Sequence, residues 1–191
     1  MEDATNRRTI HGVFLNVAGT ATLITGESGI GKSECALALI SQGHSLIADD
    51  AVIIERVGDV LFGDSPAVVT GLLHIRDLGT INIRELYGNG YISGRQKINL
   101  CIELRKEDDT GGIDRTAPVL QEFEILGVKI PKCVLIVEPA RPLALLIETA
   151  ARMTVIEAHL SRSDEMNLAV GETHGRSIQN KTRRVATPEA L

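Results

Sequence analysis

The chain has 191 residues and 20.6 kDa, 43% hydrophobic but only 3% aromatic and without tryptophan, so its length suits one domain with a core of Ile, Leu, Val and Ala. Its 20 basic and 25 acidic side chains give a net charge of -5, which argues against a basic nucleic-acid binder. No stretch approaches the ~18 apolar residues of a membrane span, and MEDATNRRTI is no secretory signal. The three cysteines, Cys35, Cys101 and Cys133, form neither a CxxC pair nor a disulfide framework, so a cytoplasmic protein with buried thiols is expected.

In chain order, the first ten residues are polar and read as frayed. Gly12 to Val17 reads as a strand, Ala18 to Thr20 as a turn, and Ala21 to Thr25 as a second strand. GESGIGKS, Gly26 to Ser33, leads into the apolar helix ECALALI, for which Gly43 is the stop signal. Leu46 to Ala48 starts a strand that is broken by Asp49-Asp50 and continues through Ala51 to Arg56. A turn at Gly58-Asp59, a strand Val60 to Phe62, a short helix after Ser65-Pro66 and an apolar Leu72 to Ile75 follow. Ile81 to Ile83 reads as a strand, Arg84 to Tyr87 as one helical turn, and Ile98 to Leu104 as an alternating strand. Lys106 to Thr116 is expected to be a surface loop. Phe123, Ile125 and Val128 lie in a mixed segment, and Pro131 precedes a strand Lys132 to Val137. Glu138 to Pro142 is a rigid loop, Leu143 to Leu160 a long helix, and the polar residues from Ser161 a tail expected to be weakly ordered or packed on a neighbouring subunit. Short strands alternating with two clear helices imply an α/β domain with mixed α+β character, residues 1–160, followed by a tail, residues 161–191.

Gly26-x4-Gly31-Lys32-Ser33 satisfies the phosphate-loop formula in full, between a strand and a helix as that formula requires. Gly26, Glu27, Ser28, Gly29, Ile30 and Gly31 would turn successive N–H groups onto a phosphate, which the positive end of the helix also faces. Lys32 can reach the outer phosphates of ATP, and the Ser33 hydroxyl can hold Mg2+. Asp49 and Asp50 follow only three apolar residues, where a simple phosphate-loop hydrolase carries four and a single acid. A doubled carboxylate lets one group hold the metal while the other acts as general base toward an acceptor hydroxyl. His44 and Cys35 read as packing residues, and no His/Cys cluster has zinc-ligand spacing.

The stretch His11 to Val52 resembles the catalytic domain of the bacterial HPr kinase/phosphorylase family. The likeness continues through LLHIRDLGTINIRELYG, Leu72 to Gly88, and through Glu124 to Met153. The family's N-terminal domain has no counterpart here, so either a short form or a truncated piece of a longer protein is expected. The resemblance implies a P-loop kinase fold shared with phosphoenolpyruvate carboxykinase and a hexameric homo-oligomer. It implies ATP- and Mg2+-dependent phosphorylation of a serine on HPr, or on the related nitrogen-branch phosphocarrier. It also implies a reverse reaction in which inorganic phosphate removes that group as pyrophosphate. Carried over by residue, it makes Asp49 the base, Asp50 and Ser33 the metal ligands, and His11 a neighbour of the acceptor. Lys32 and Arg141 become phosphate-binding cations. The chain departs from the family at His74 (a glutamate there), Asp77 (a glycine) and Glu138 (an arginine), changes that bear on the reverse reaction and on the acceptor. A same-fold kinase with another acceptor, or a nucleotide sensor without turnover, are the alternatives.

Overall fold

The computed structural model describes residues 6–106 and 120–156. The 107–116 part of the expected loop, the end of the long helix after residue 156 and the tail from Ser161 lie outside the described residues. The chain divides into two units between residues 154 and 155, and the site lies wholly in the first.

In chain order the elements are β1 (Arg7–His11), β2 (Val13–Val17), β3 (Thr20–Gly26), α1 (Lys32–Ser41), β4 (Ser45–Ala48), β5 (Ala51–Val57) and β6 (Val60–Asp64). After a 3-10 turn at Ala67–Val69 come β7 (Leu72–Ile75), β8 (Gly79–Asn82) and α2 (Ile83–Tyr87). A second 3-10 turn at Asn89–Tyr91 precedes β9 (Gln96–Lys97), β10 (Leu100–Lys106), β11 (Leu120–Ile125) and β12 (Val128–Val137). A helix α3 covers residues 143–156. None of the described helices is long and apolar enough to cross a membrane.

These strands form a six-stranded mixed sheet in the order β11-β12-β10-β3-β2-β4, a four-stranded antiparallel sheet β1-β5-β6-β9, and the hairpin β7-β8. One face of the six-stranded sheet buries Val13, Leu15, Ile24 and Ile102 with Leu39 and Ile40 of α1 and Ile147 and Ala151 of α3. Its other face buries Phe14, Leu23, Ile47 and Cys101 with Val52, Ile54 and Leu61 of the four-stranded sheet. The architecture is a mixed α/β fold with helices on one side of the main sheet and a second sheet on the other. Phe14 packs closely on the second sheet at Gly63, where a Cβ would stand 2.5 Å from its ring. The three thiols are buried, which pushes each pKa up to about 11 and makes them poor nucleophiles.

The chain passes between the two sheets after β1, after β4 and after β9, and at the first two of these crossings the sequence reading needs correction. Residues 7–11 are not frayed: they form β1, an exposed and basic edge strand antiparallel to β5, in register from Arg7↔Glu55 to His11↔Ala51. Charged side chains on such an edge discourage pairing with other chains. Gly12 then carries the chain into the other sheet, in a position where a Cβ would lie 2.6 Å from the Ile24 carbonyl oxygen. Likewise Ala51–Val57 does not continue Ser45–Ala48. Asp50 adopts φ 64°, the left-handed region that aspartate tolerates better than most residues, and turns the chain from one sheet to the other. The Gly12 N–H donates to the Asp50 carbonyl at 3.2 Å, so these first two crossings form one corner.

The mixed segment around Phe123 is a hairpin, β11 and β12, turning through Leu126 and Gly127 at φ 50° and 73°. Its second strand starts at Val128 and tolerates Pro131 because pairing with β10 begins only at Lys132↔Cys101.

Candidate active site

The phosphate loop hangs between the carboxyl end of β3 and the start of α1, a geometry that three glycines permit. Gly26, Gly29 and Gly31 have φ of 141°, 74° and 102°. Space constrains Gly26 as well, where a Cβ would meet the Leu104 carbonyl oxygen at 2.6 Å; one on Gly29 would meet only the end of the Arg76 side chain, at 2.7 Å. The Lys32 ammonium folds back over the loop and donates to the carbonyls of Gly26 and Glu27 at 2.9 and 2.8 Å. Burial lowers its pKa, against the pull of Asp49, Asp50 and Glu34.

A cavity of about 340 Å3 opens beside the loop. Lys32 and Ser33 line it from α1, Asp49 and Asp50 from the sheet corner, His11 from the end of β1, and His74 and Arg76 from the β7–β8 hairpin. The two aspartates differ sharply. Asp49 is 7% exposed, accepts a hydrogen bond from the Ser33 hydroxyl at 3.1 Å on one oxygen, and accepts the His74 backbone N–H at 2.8 Å on the other. Burial raises its pKa even though both hydrogen bonds favour the ionised form. The Asp50 side chain is 76% exposed and lies 2.8 Å from His11 Nδ1, which is also 3.1 Å from the Asp50 carbonyl. Both partners are acceptors, so Nδ1 carries the proton and Nε2 is left for another group. At the left-handed turn at Asp50, successive carboxylates thus take different partners, Asp49 buried on Ser33 and Asp50 exposed beside His11.

Comparison with known proteins gives this arrangement a family. The profile described as "HPr Serine kinase C-terminal domain" matches residues 2–167. The chain belongs to this family. It is 44% identical over 145 residues to the HPr kinase/phosphorylase of Alkaliphilus metalliredigens, covering 75% of this chain and 47% of that protein. It is 43% identical over 142 residues to the HPr kinase/phosphorylase of Clostridium acetobutylicum, covering 74% and 47%. The chain spans about half the length of the curated relatives it matches. The solved structure of the HPr(Ser) kinase/phosphatase from Coxiella burnetii superposes with a TM-score of 0.77 at 34% identity, covering 83% of this chain and 97% of that one.

Within this member of the HPr serine kinase family, His11, Lys32, Ser33, Asp49 and Asp50 meet in one cavity with Ser28, Gly29 and Gly31. Arg141 does not line it. Its guanidinium donates to the Ile136 carbonyl at 3.0 Å and lies 3.8 Å from Glu138, bracing the loop it belongs to. His44 is a buried packing residue, accepting the Ala18 N–H at its Nδ1. The sequence reading singled out His74 as a departure in the segment Leu72 to Gly88 but gave neither His74 nor Arg76 a role at the site. His74 carries the N–H that fixes Asp49, and its ring nitrogen Nδ1 lies 3.2 Å from the Thr80 hydroxyl across the hairpin. The signal available was the run HIRD, three polar or charged residues around Ile75 after an apolar pair. Asp77 occupies φ 67°, so this aspartate stands where glycine would be strain-free.

Proposed function

We propose that this chain is an ATP- and Mg2+-dependent kinase that transfers the γ-phosphoryl group of ATP to a serine hydroxyl of HPr or a related phosphocarrier protein. The fold is read as the P-loop kinase type shared with phosphoenolpyruvate carboxykinase. Residues 1–160 form the catalytic domain, with 161–191 an appended tail. The observation that carries the reading is the convergence of a phosphate loop with two differently placed aspartates in one cavity. The family supplies the acceptor.

The site residues suit the two small groups the reaction needs. Ser33 and Asp49 present only oxygen, and among the described residues no group of three or more His, Cys, Asp or Glu forms a metal cage. That donor set fits Mg2+, which is typically held by one or two carboxylates, substrate phosphates and water. When bound, the ion would neutralise charge on the phosphate oxygens. The Ser33–Asp49 hydrogen bond favours Asp49 on the metal side. This exchanges the roles implied by resemblance and leaves Asp50, exposed and oriented by His11, as the base toward the serine. In the forward direction the Asp50 carboxylate takes the serine proton as the oxygen bonds to phosphorus and ADP leaves. In the reverse direction Asp50 returns that proton as inorganic phosphate takes the phosphoryl group to give pyrophosphate. Lys32 leaves the carbonyls of its own loop to meet the phosphates, with the N-terminus of α1 behind it. Arg141 belongs to the reading as a phosphate-binding group only if its loop turns toward the cavity when substrate is bound.

A homo-oligomer, hexameric as in the family, is part of the proposal. Val68, Leu78 and Leu86, which are 88%, 68% and 63% exposed, offer the apolar surface such contacts use. The test of function is transfer from γ-labelled ATP with Mg2+ to purified HPr and to its nitrogen-branch relative. Phosphoserine on either, removed again with pyrophosphate formed when inorganic phosphate is added, supports the reading. ATP binding without label on either protein contradicts it.

A further inference from the structure

The nitrogen-bearing side chains of the cavity are unequally committed. Lys32, the expected phosphate ligand, spends its ammonium on two loop carbonyls. His11 is held by Asp50, and His74 by Thr80. The arginines elsewhere in the fold are mostly anchored: Arg56 on the Gly58 and Leu126 carbonyls, Arg95 on Glu55, Arg141 on the Ile136 carbonyl and Arg152 on Glu148. Arg76 differs. It lines the cavity, yet among the described residues it makes no hydrogen bond and no ion pair.

The backbone that carries it is nonetheless anchored. The β7–β8 hairpin that carries it is tied to Asp49 through the His74 N–H at 2.8 Å, and the Leu78 N–H closes the hairpin turn onto the Ile75 carbonyl at 3.2 Å. This sets the guanidinium directly over the phosphate loop, 2.7 Å from where a Gly29 Cβ would stand. Any residue but glycine at position 29 would displace it. A guanidinium whose five donors have no partner among the described residues, standing beside Gly29 of a phosphate loop, is suited to bidentate binding of a phosphate.

We propose that Arg76 is a catalytic residue that clamps the terminal phosphate of the bound nucleotide across Gly29. The proposal rests on the reading of the cavity as a nucleotide-phosphate site and names a residue that reading does not need. During transfer the bond from the bridging oxygen to the γ-phosphorus breaks and the bond from the serine oxygen forms. Charge moves onto the bridging oxygen and the three equatorial oxygens, and a fork held above the loop bonds them more strongly in the transition state than in the ground state. Because the same hairpin supplies the N–H that holds Asp49, the phosphate clamp and the metal-side carboxylate are positioned by one element.

The test measures affinity for ATP, ADP and AMP by titration calorimetry on the full chain, and the transfer rate at saturating ATP, for wild type, Arg76→Ala and Arg76→Lys. Arg76 is exposed, so both variants should melt as the wild type does. Arg76→Ala should weaken ATP by on the order of tenfold or more, ADP by less than about threefold and AMP not at all. It should slow transfer at saturation by roughly 100- to 1,000-fold. Arg76→Lys should recover most of the ATP affinity but little of the rate, since an ammonium lacks the planar fork. Unchanged ATP-over-ADP preference and an unchanged saturated rate in Arg76→Ala would overturn the proposal while leaving the kinase reading intact. A wild-type chain that binds none of the three nucleotides would overturn both.

Discussion

The two sides of the cavity are built in opposite ways. The phosphate-loop side is one continuous stretch, Gly26 to Ser33, whose shape follows from its own glycines and the strand and helix it joins. The other side is gathered from three places: His11 at the end of β1, Asp49 and Asp50 between β4 and β5, and His74 and Arg76 from the β7–β8 hairpin. Only the corner where two sheets exchange chain brings these together, pinned by the Gly12 N–H on the Asp50 carbonyl. The first side is suited to hold phosphate, whereas the second carries the base and the metal-side carboxylate and, by the proposal above, lends Arg76 to the terminal phosphate. Damage to the loop should therefore be separable from damage to the Asp50 base.

Lys32→Ala attacks the local side and should be among the most severe changes. It should reduce transfer by about 1,000-fold, with ATP affinity falling alongside because the loop loses its cation. Calorimetry and a labelled-transfer assay on one preparation would check this, and retained affinity would break the division. Gly12→Ala attacks the assembled side without touching a reacting group. With its Cβ 2.6 Å from the Ile24 carbonyl oxygen, it should cost about 2 kcal/mol in a denaturant titration. Transfer should fall more than ATP affinity does, since His11 moves with the corner.

The pH dependence sharpens the difference between the two aspartates. Burial holds the Asp49 pKa above the ordinary aspartate value, so the acid limb of the transfer profile should lie above that of an ordinary aspartate. Raising Mg2+ should move the limb to lower pH, because metal and proton compete for one carboxylate. The folded state binds this proton more tightly than the unfolded chain. Between the ordinary and the raised pKa, stability should therefore fall as pH rises. A limb insensitive to Mg2+ would remove Asp49 from the metal side. The smallest effect is expected at Asp77, whose left-handed backbone suits glycine. Asp77→Gly should stabilise the chain by roughly 0.5 kcal/mol, the relief of strain being partly offset by the freedom glycine gains when unfolded.

The same contrast explains what could be read from the amino acids alone. The phosphate loop was legible because its specification is local: glycines at set spacings, an apolar strand before and an apolar helix after. The aspartate pair was legible as chemistry but not as geometry. Nothing in LIADDAVIIER announces that Asp50 turns left-handed and sends Ala51–Val57 into another sheet, since aspartate is tolerated there rather than required. RRTIH reads as a polar tail because an edge strand exposes its side chains, and only pairing with β5 makes it a strand. The hairpin through Leu126-Gly127 was hidden by a non-glycine residue at positive φ and by Pro131 inside its second strand. Arg76 sits three residues before Gly79 in a short hairpin, and its approach to Gly29, 47 positions away in sequence, is wholly tertiary.

The most direct test of the account compares ATP affinity and serine phosphorylation in Asp50→Asn and the wild type, with melting temperature measured on both. The account predicts ATP affinity within about twofold of wild type, and transfer reduced by roughly 100- to 10,000-fold through loss of the base. Transfer near the wild-type rate in Asp50→Asn, or a parallel collapse of ATP binding in a folded sample, would contradict the assignment of binding and proton transfer to opposite sides of the cavity.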